Sequence, residues 1–366
     1  MIRKPKIWFP FLFLVIVCNA CMDDDRWLEM NNQISIDIEQ SGLFVVNEGN
    51  FMYDNASLSF YQIDSMKVLN SVFFRTNGVV LGDVAYSMSI RDSLGYIVVN
   101  NSGKVFAINI NTFEYAGVIE GLTSPRHIHF INDQKAYVTD LYAKSIAIID
   151  PSTFEVIGQI DVDNPGSDFY QHPTEEMVQF GKYVFTNCWS YDNKILVIDS
   201  DTDQVVDSIE VPRQPNSLVI DKNHKIWSLS DGGFAGNPYG QDIPALVRID
   251  AETREIEETI QFDMHDNPSA LKINGSGDTL YFINQHVYSL PVGTAAEAEM
   301  LIESPYKGSY DGGFYGLAVD PSSGDIYLAD AIDNVQQGLV YRYKPNGMAV
   351  DTFKVGIIPG AFCFKP

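Results

Sequence analysis

The residues of this chain with the most chemical potential are six histidines, a large excess of carboxylates, and aromatic residues gathered in a few segments. His127, His129, His172, His224, His265 and His286 include no pair at a helical metal-ligand spacing. His127 and His129 alternate on one extended run, so both face the same side, and packing between stacked sheets is their expected role. Gly-x-Ser-x-Gly and glycine-rich phosphate loops are missing, and the Asp-Gly-Gly stretches at 231–233 and 311–313 read as turns. Asp23 to Asp25 lack the remaining ligands of a calcium loop. Cys188 and Cys363 stand far apart and read as buried free thiols, without a disulfide framework or a zinc spacing. The expectation is therefore no metal and no catalytic cofactor. A glycosidase-like carboxylate pair stays open, because carboxylates are too numerous for any one pair to stand out. The aromatic residues are Phe51, Tyr53, Tyr142, Phe169, Tyr170, Trp189, Tyr191, Phe234, Tyr239 and Tyr310. Rings with polar tips suit a large, flat, partly apolar ligand fringed with amides or hydroxyls, since they give contact area at low entropic cost.

Those residues need a scaffold, and composition bounds it. With 366 residues and 45% hydrophobic content, the chain can bury a large core, which excludes disordered and collagen-like classes. A formal charge of −24 argues against nucleic-acid partners, which need clustered Lys and Arg to meet phosphates.

Runs rich in Val, Ile, Phe and Tyr recur with turn residues between them, so the fold class is all-β. One pattern repeats: an apolar strand, a strand ending in Ile-Asp, a turn with Thr, a Val/Ile-rich strand, then a loop often closed by Pro. Tyr137-Val-Thr-Asp, Ile146 to Asp150, Pro151-Ser-Thr-Phe and Val156 to Ile160 align with Tyr183-Val-Phe-Thr, Ile195 to Asp199, Ser200-Asp-Thr-Asp and Val205 to Ile209. The strand after each loop also aligns, in seven copies: Ser87-Met-Ser-Ile, His127-Ile-His-Phe, Met177-Val-Gln-Phe, Ser217-Leu-Val-Ile, Ala270-Leu-Lys-Ile, Gly316-Leu-Ala-Val and Ala361-Phe-Cys-Phe. A period of roughly 40 to 55 residues with four strands per unit predicts a seven-bladed β-propeller. The seventh copy ends the chain, so the C-terminal strand is expected to pair into the first blade, which begins near Leu43, and close the ring. A β-sandwich or open solenoid would leave that last strand unexplained.

The same register sorts the loops. Long, irregular loops at Asn47 to Ser57, Asp163 to Glu175, Asn187 to Asn193, Ser230 to Ala245, Ser304 to Phe314 and Ala329 to Gly338 are all placed on one rim, the expected binding face. The residues just before each innermost strand should ring the central mouth there: Tyr86, Arg126, Glu176, Asn216, Ser269, Tyr315 and Gly360. The candidate ligand-binding set is Phe51, Tyr53, Tyr86, Arg126, Tyr142, Trp189, Tyr191, Asn216, Phe234, Tyr239 and Tyr315, with no catalytic residue.

At the N-terminus, Arg3, Lys4 and Lys6 precede the apolar run Ile7 to Val17 and then Cys18-Asn19-Ala20-Cys21. A basic region, a short apolar stretch and a small residue before the cut describe a secretory signal. The cut resembles a bacterial lipobox, which implies lipidation at Cys21, although Cys18 departs from the usual Leu. Met22-Asp23-Asp24-Asp25 resembles the acidic signal that sends some lipoproteins to the outer cell surface. The expected organisation is a signal peptide at 1–20, a lipidated tether at 21–40 and the propeller at 41–366, with the chain anchored in the outer membrane. Removing 1–20 deletes three positive charges and no negative ones, so the mature chain is more acidic still.

The repeat with Tyr-Val, Ile-Asp, Asp-x-x-Thr and a Pro before the inner strand resembles the YncE-like family of bacterial propellers. Val45-Val-Asn-Glu-Gly-Asn-Phe51, Thr76-Asn-Gly with Leu81-Gly-Asp-Val, Asn187-Cys-Trp-Ser-Tyr191, Asp231-Gly-Gly, Ala329-Asp-Ala-Ile-Asp333 and Val355-Gly-Ile-Ile-Pro-Gly-Ala-Phe-Cys363 resemble the surface-exposed cobalamin-binding lipoproteins of gut bacteria, the BtuG family. That resemblance implies non-catalytic capture of vitamin B12 and other corrinoids, with delivery to a TonB-dependent outer-membrane transporter of the BtuB type. A surface glycan-binding or adhesion propeller is the alternative, and a propeller lactonase or lyase is a further one.

Overall fold

The computed structural model describes residues 38–293, 297–306 and 313–366. The expected signal peptide, the lipidation site Cys21, the acidic stretch after it and Tyr310 lie outside those residues. Seven four-stranded antiparallel sheets account for the rest, as the repeat predicts. The innermost strands of the second to seventh blades are Ala85–Arg91, Pro125–Asn132, Thr174–Phe180, Pro215–Ile220, Ser269–Ile273 and Phe314–Val319. The first blade takes its innermost strand from the far end of the chain, Pro359–Lys365, which pairs with Gly42–Asn47. Closure by the C-terminal strand is thus observed.

Local chemistry explains the repeating Ile-Asp turn. Asp150, Asp199 and Asp250 each end a third strand, and their carboxylates accept backbone N–H bonds from Ser152, Asp201 and both Glu252 and Thr253, at 2.8–2.9 Å. The last turn residue then sits in the left-handed region, at φ +62° for Phe154, +55° for Asp203 and +66° for Arg254. This is a tight hairpin with a one-residue bulge, and it leads directly into the fourth strand.

Packing energy resides between blades rather than within them, because a single sheet cannot cover its own apolar faces. Each of seven buried clusters joins two neighbouring blades. The cluster at the closure sets Leu43, Val45 and Tyr61 of the first blade against Tyr327, Val340, Phe353 and Val355 of the seventh. Tyr61 stacks on Phe353 with centroids 3.9 Å apart and donates to Asp351 at 2.8 Å. The ring is therefore sealed both by a strand pair and by a core. A short helix, Val72–Asn77, bridges the first and second blades and buries Val72 and Phe73. Ile38 is also buried and its N–H bonds Asn111 O, so ordered packing reaches slightly before residue 41.

Candidate functional site

In every blade the innermost strand slips register by one residue near its start. Tyr86, Asn216, Tyr315 and Gly360 are the extra residues in four blades, and the slip spans Arg126–His127, Glu175–Glu176 and Ala270–Leu271 in the other three. A bulge bends the strand and re-aims the side chain it carries. Seven bulges around one axis therefore aim the ring residues at the central mouth. In the sixth blade the slip falls after Ser269, so Ala270, at φ +56°, shares the ring position assigned to Ser269.

A central cavity of about 560 Å³ is lined by Glu48, Tyr86, His127, Glu176, Asn216 and Tyr315 among others. A second, of about 290 Å³, shares His127, Glu176 and Lys272 with it and adds His129. His127 and His129 do face the same way, but toward this channel rather than into the blade stack. His127 stays neutral, because burial lowers its pKa to about 4, so its 3.7 Å approach to Glu175 is not an ion pair.

The charges at the mouth are mostly answered from within. Arg126 is buried, its Nε contacts both Glu175 oxygens at 2.8 and 2.9 Å, and its guanidinium lies 3.4 Å from the Tyr86 ring centroid. Lys272 donates to Glu176 at 2.8 Å, and the Leu218 N–H binds the other Glu176 oxygen at 2.8 Å. Burial works against the Glu176 carboxylate, but the Lys272 charge and hydrogen bond together with the Leu218 amide outweigh it and hold its pKa below the ordinary range. Glu48 differs. Burial raises its pKa to about 7, and neither the hydrogen bond from Tyr315 at 3.0 Å nor the more distant Arg126 charge offsets this. Gly360 makes room for it, since a Cβ there would strike the Glu48 carboxylate. Asn216 is also committed, donating to Pro268 O at 2.8 Å and accepting from Ser217 at 2.6 Å.

Loops joining second to third strands, and those joining one blade to the next, leave from the same edge of each sheet as this mouth. Three of them assemble an aromatic cluster over the fourth and fifth blades. Tyr191 stacks on Phe169 at 5.3 Å and meets Phe234 and Tyr239 edge-on at 6.0 and 6.1 Å. Phe169 and Phe234 are exposed, and the Tyr239 hydroxyl accepts the Asp168 N–H at 3.0 Å, tying two of the loops together. Asp231 ties the others, accepting from Trp189 Nε1 at 3.4 Å, Gln214 at 3.1 Å and the Gly233 N–H at 2.8 Å. Tyr191 itself sits at φ +69°, a strained backbone for a bulky residue, and such strain gathers where loops bind ligands.

The expected site residues thus fall into three groups. Tyr86, Arg126, Asn216 and Tyr315 converge on the mouth, with Arg126 and Asn216 turned to internal partners. Trp189, Tyr191, Phe234 and Tyr239 come together on the rim with Phe169. Phe51, Tyr53 and Tyr142 are exposed and join no aromatic pair among the described residues; Phe51 and Tyr53 occupy the first blade, across the ring from the cluster. Glu48, Glu175 and Lys272 also belong to the mouth, at positions that the ring register does not mark. Glu48 lies inside the Val45-to-Phe51 motif, one step past the second strand, and that position was its available signal.

The family described as Domain of unknown function (DUF5074) matches residues 41–358. No curated protein matches the chain. Its fold is similar to that of a quinonprotein alcohol dehydrogenase-like protein from Bacteroides thetaiotaomicron, at 14% identity and TM-score 0.67, over 89% of this chain and 79% of that one. The periplasmic gluconolactonase PpgL of Pseudomonas aeruginosa aligns over 89% of this chain and 99% of its own, at 12% identity and TM-score 0.65. A catalytically inactive virginiamycin B lyase from Staphylococcus aureus, solved with quinupristin, aligns over 75% and 84% at 13% identity and TM-score 0.57. At these identities the likeness is one of propeller fold, whereas the family match covers most of the chain, and the protein belongs to the DUF5074 family.

Proposed function

We propose that this propeller captures a corrinoid such as cobalamin on its loop-bearing face, without catalysis, and passes it to a TonB-dependent outer-membrane transporter of the BtuB type. One observation carries the reading: four aromatic residues from three loops meet at Tyr191, with Phe169 and Phe234 exposed, beside a polar mouth. A corrin is broad, flat and edged with amides. Aromatic faces supply its apolar contact, and polar groups of the rim loops, such as the Tyr239 hydroxyl and exposed backbone, meet its amides. The BtuG-like motifs support the same choice, since Asn187 to Tyr191 and Asp231-Gly-Gly contribute directly to this cluster. A lipid anchor at Cys21 would hold the capture face near the membrane that houses the transporter.

The test is gel filtration of the protein with cyanocobalamin, following the red corrinoid absorbance. Co-elution at one equivalent is the expected result, and corrinoid that elutes wholly free at high micromolar concentrations overturns the reading.

A second reading rests on Glu48. A carboxyl raised to about 7 at a cavity mouth is poised for proton transfer near neutral pH, which suits a lactonase- or lyase-like propeller. Turnover of a lactone panel that Glu48→Gln abolishes would favour it, and absence of turnover would remove it.

A further inference from the structure

Beneath the aromatic cluster lies a group of side chains that corrinoid capture does not use. We infer that His172, Cys188 and Asp192 form a binding site for a zinc-type divalent metal ion, which pins together the loops that carry the exposed aromatics. One ligand atom from each residue lies within 4.8 Å of the others. Imidazole nitrogen, thiolate sulfur and carboxylate oxygen are the donors zinc prefers, and three protein ligands leave a fourth position for water.

The sequence separates these residues, but the fold gathers them. Cys188 ends the second strand of the fourth blade, paired with Thr174 at the start of the innermost strand, so His172 is brought alongside from just before it. Asp192 is drawn in by the turn between, where its N–H bonds Trp189 O at 3.1 Å and its carbonyl accepts the Gln214 N–H at 2.8 Å. Cys188 is fully buried and Asp192 nearly so. His172 and Asp192 also line a polar cavity of about 940 Å³, which gives an ion a route in and room for a bound water.

Without metal, His172 Nδ1 and Asp192 Oδ2 share a hydrogen bond at 2.6 Å. An ion at ordinary zinc distances replaces the shared proton and opens that pair to about 3.4 Å, a shift within reach of two loop side chains. The other Asp192 oxygen stays fixed by the Asn193 N–H at 2.7 Å, the kind of outer hydrogen bond that orients metal ligands. A nucleophilic role for Cys188 does not compete, because no substrate reaches a sulfur with no exposed surface. The ligands neighbour Trp189 and Tyr191, and His172 is two residues from Tyr170. A bound ion would thus order the aromatic face whatever that face holds.

The test is titration of the reduced, metal-stripped full chain with cobalt(II), read by its thiolate-to-metal charge-transfer band, followed by displacement with zinc. Expected are one equivalent of cobalt with the band present, displacement by zinc, and a higher Tm with zinc. Cys188→Ser should lose the band while Cys363→Ser keeps it; Cys18 and Cys21 remain in both, so they cannot account for the difference. His172→Gln should weaken zinc at least about tenfold, and it decides the question if Cys188→Ser does not fold. Absence of a thiolate band in the unmodified protein, its persistence in Cys188→Ser, or unchanged zinc affinity in His172→Gln would overturn the site.

Discussion

The aromatic cluster over the fourth and fifth blades and the charged ring at the central mouth share one face, but they are completed differently. At the mouth, Arg126 has Glu175, Lys272 has Glu176, and Asn216 has Pro268 and Ser217. These groups sit on or beside the bulges of paired strands, and their hydrogen bonds are filled from within the protein. On the rim, Phe169, Phe234 and Tyr239 each meet Tyr191 but leave apolar surface in water, on loops held by Asp231 and by backbone bonds. Polar groups already paired add little net energy to a new partner, whereas exposed apolar area gives up water on binding. The two regions therefore divide the labour. The mouth sets shape and rigidity, and the rim supplies affinity.

The largest effect should come from disrupting the mouth. Arg126→Met leaves Glu175 as an uncompensated buried charge and should cost about 3 kcal/mol or more of stability, read by urea denaturation. Replacing both partners, Arg126→Met with Glu175→Leu, should recover much of that loss. Equal stability of the two variants would show that the pair is not what the mouth depends on.

Next, Tyr191→Ala should weaken corrinoid binding by about 2 kcal/mol, roughly thirtyfold, while stability moves far less, because it removes the ring on which the other three converge. A variant with unchanged affinity would move the binding energy away from the rim.

Glu48 extends the contrast to pH. Its folded pKa of about 7 lies above its ordinary value, so the folded state keeps a proton that the unfolded chain releases. Its stabilising contribution is therefore complete at acid pH. It falls as pH rises through the ordinary carboxylate range and levels off above about 7. Glu48→Gln should flatten this part of the curve, and chemical denaturation from pH 4 to 8 checks it; parallel curves for the two proteins would contradict the assignment.

The smallest effect should be at Tyr142, exposed and apart from the cluster. Tyr142→Ala should change corrinoid affinity by less than about 0.5 kcal/mol in calorimetry. A larger loss would extend the binding surface toward the third blade.

Much of this architecture was legible in the sequence. Seven aligned inner strands, and a last one with nothing after it, gave both the blade count and the closure by Ala361-Phe-Cys-Phe. The Asp-x-x-Thr turns could be read because a short side chain bonding nearby N–H groups is a local event. The mouth was legible only as a set of positions. A period-two pattern cannot reveal a one-residue slip, so the share that Ala270 takes of the position read for Ser269 was hidden, as was the turn of Arg126 toward Glu175. For the same reason the alternation of His127 and His129 points to the blade stack, although both face the channel. The rim needed contacts between Phe169, Tyr191 and Phe234, which lie on three loops, and nothing local records which loops meet.

The most direct test of the division between rim and mouth is calorimetric titration of the protein and of Tyr191→Ala with cyanocobalamin under identical conditions. Saturable one-to-one binding by the parent protein is expected, with a loss of roughly thirtyfold in the variant. No measurable binding by the parent, or equal affinity in both, would contradict it.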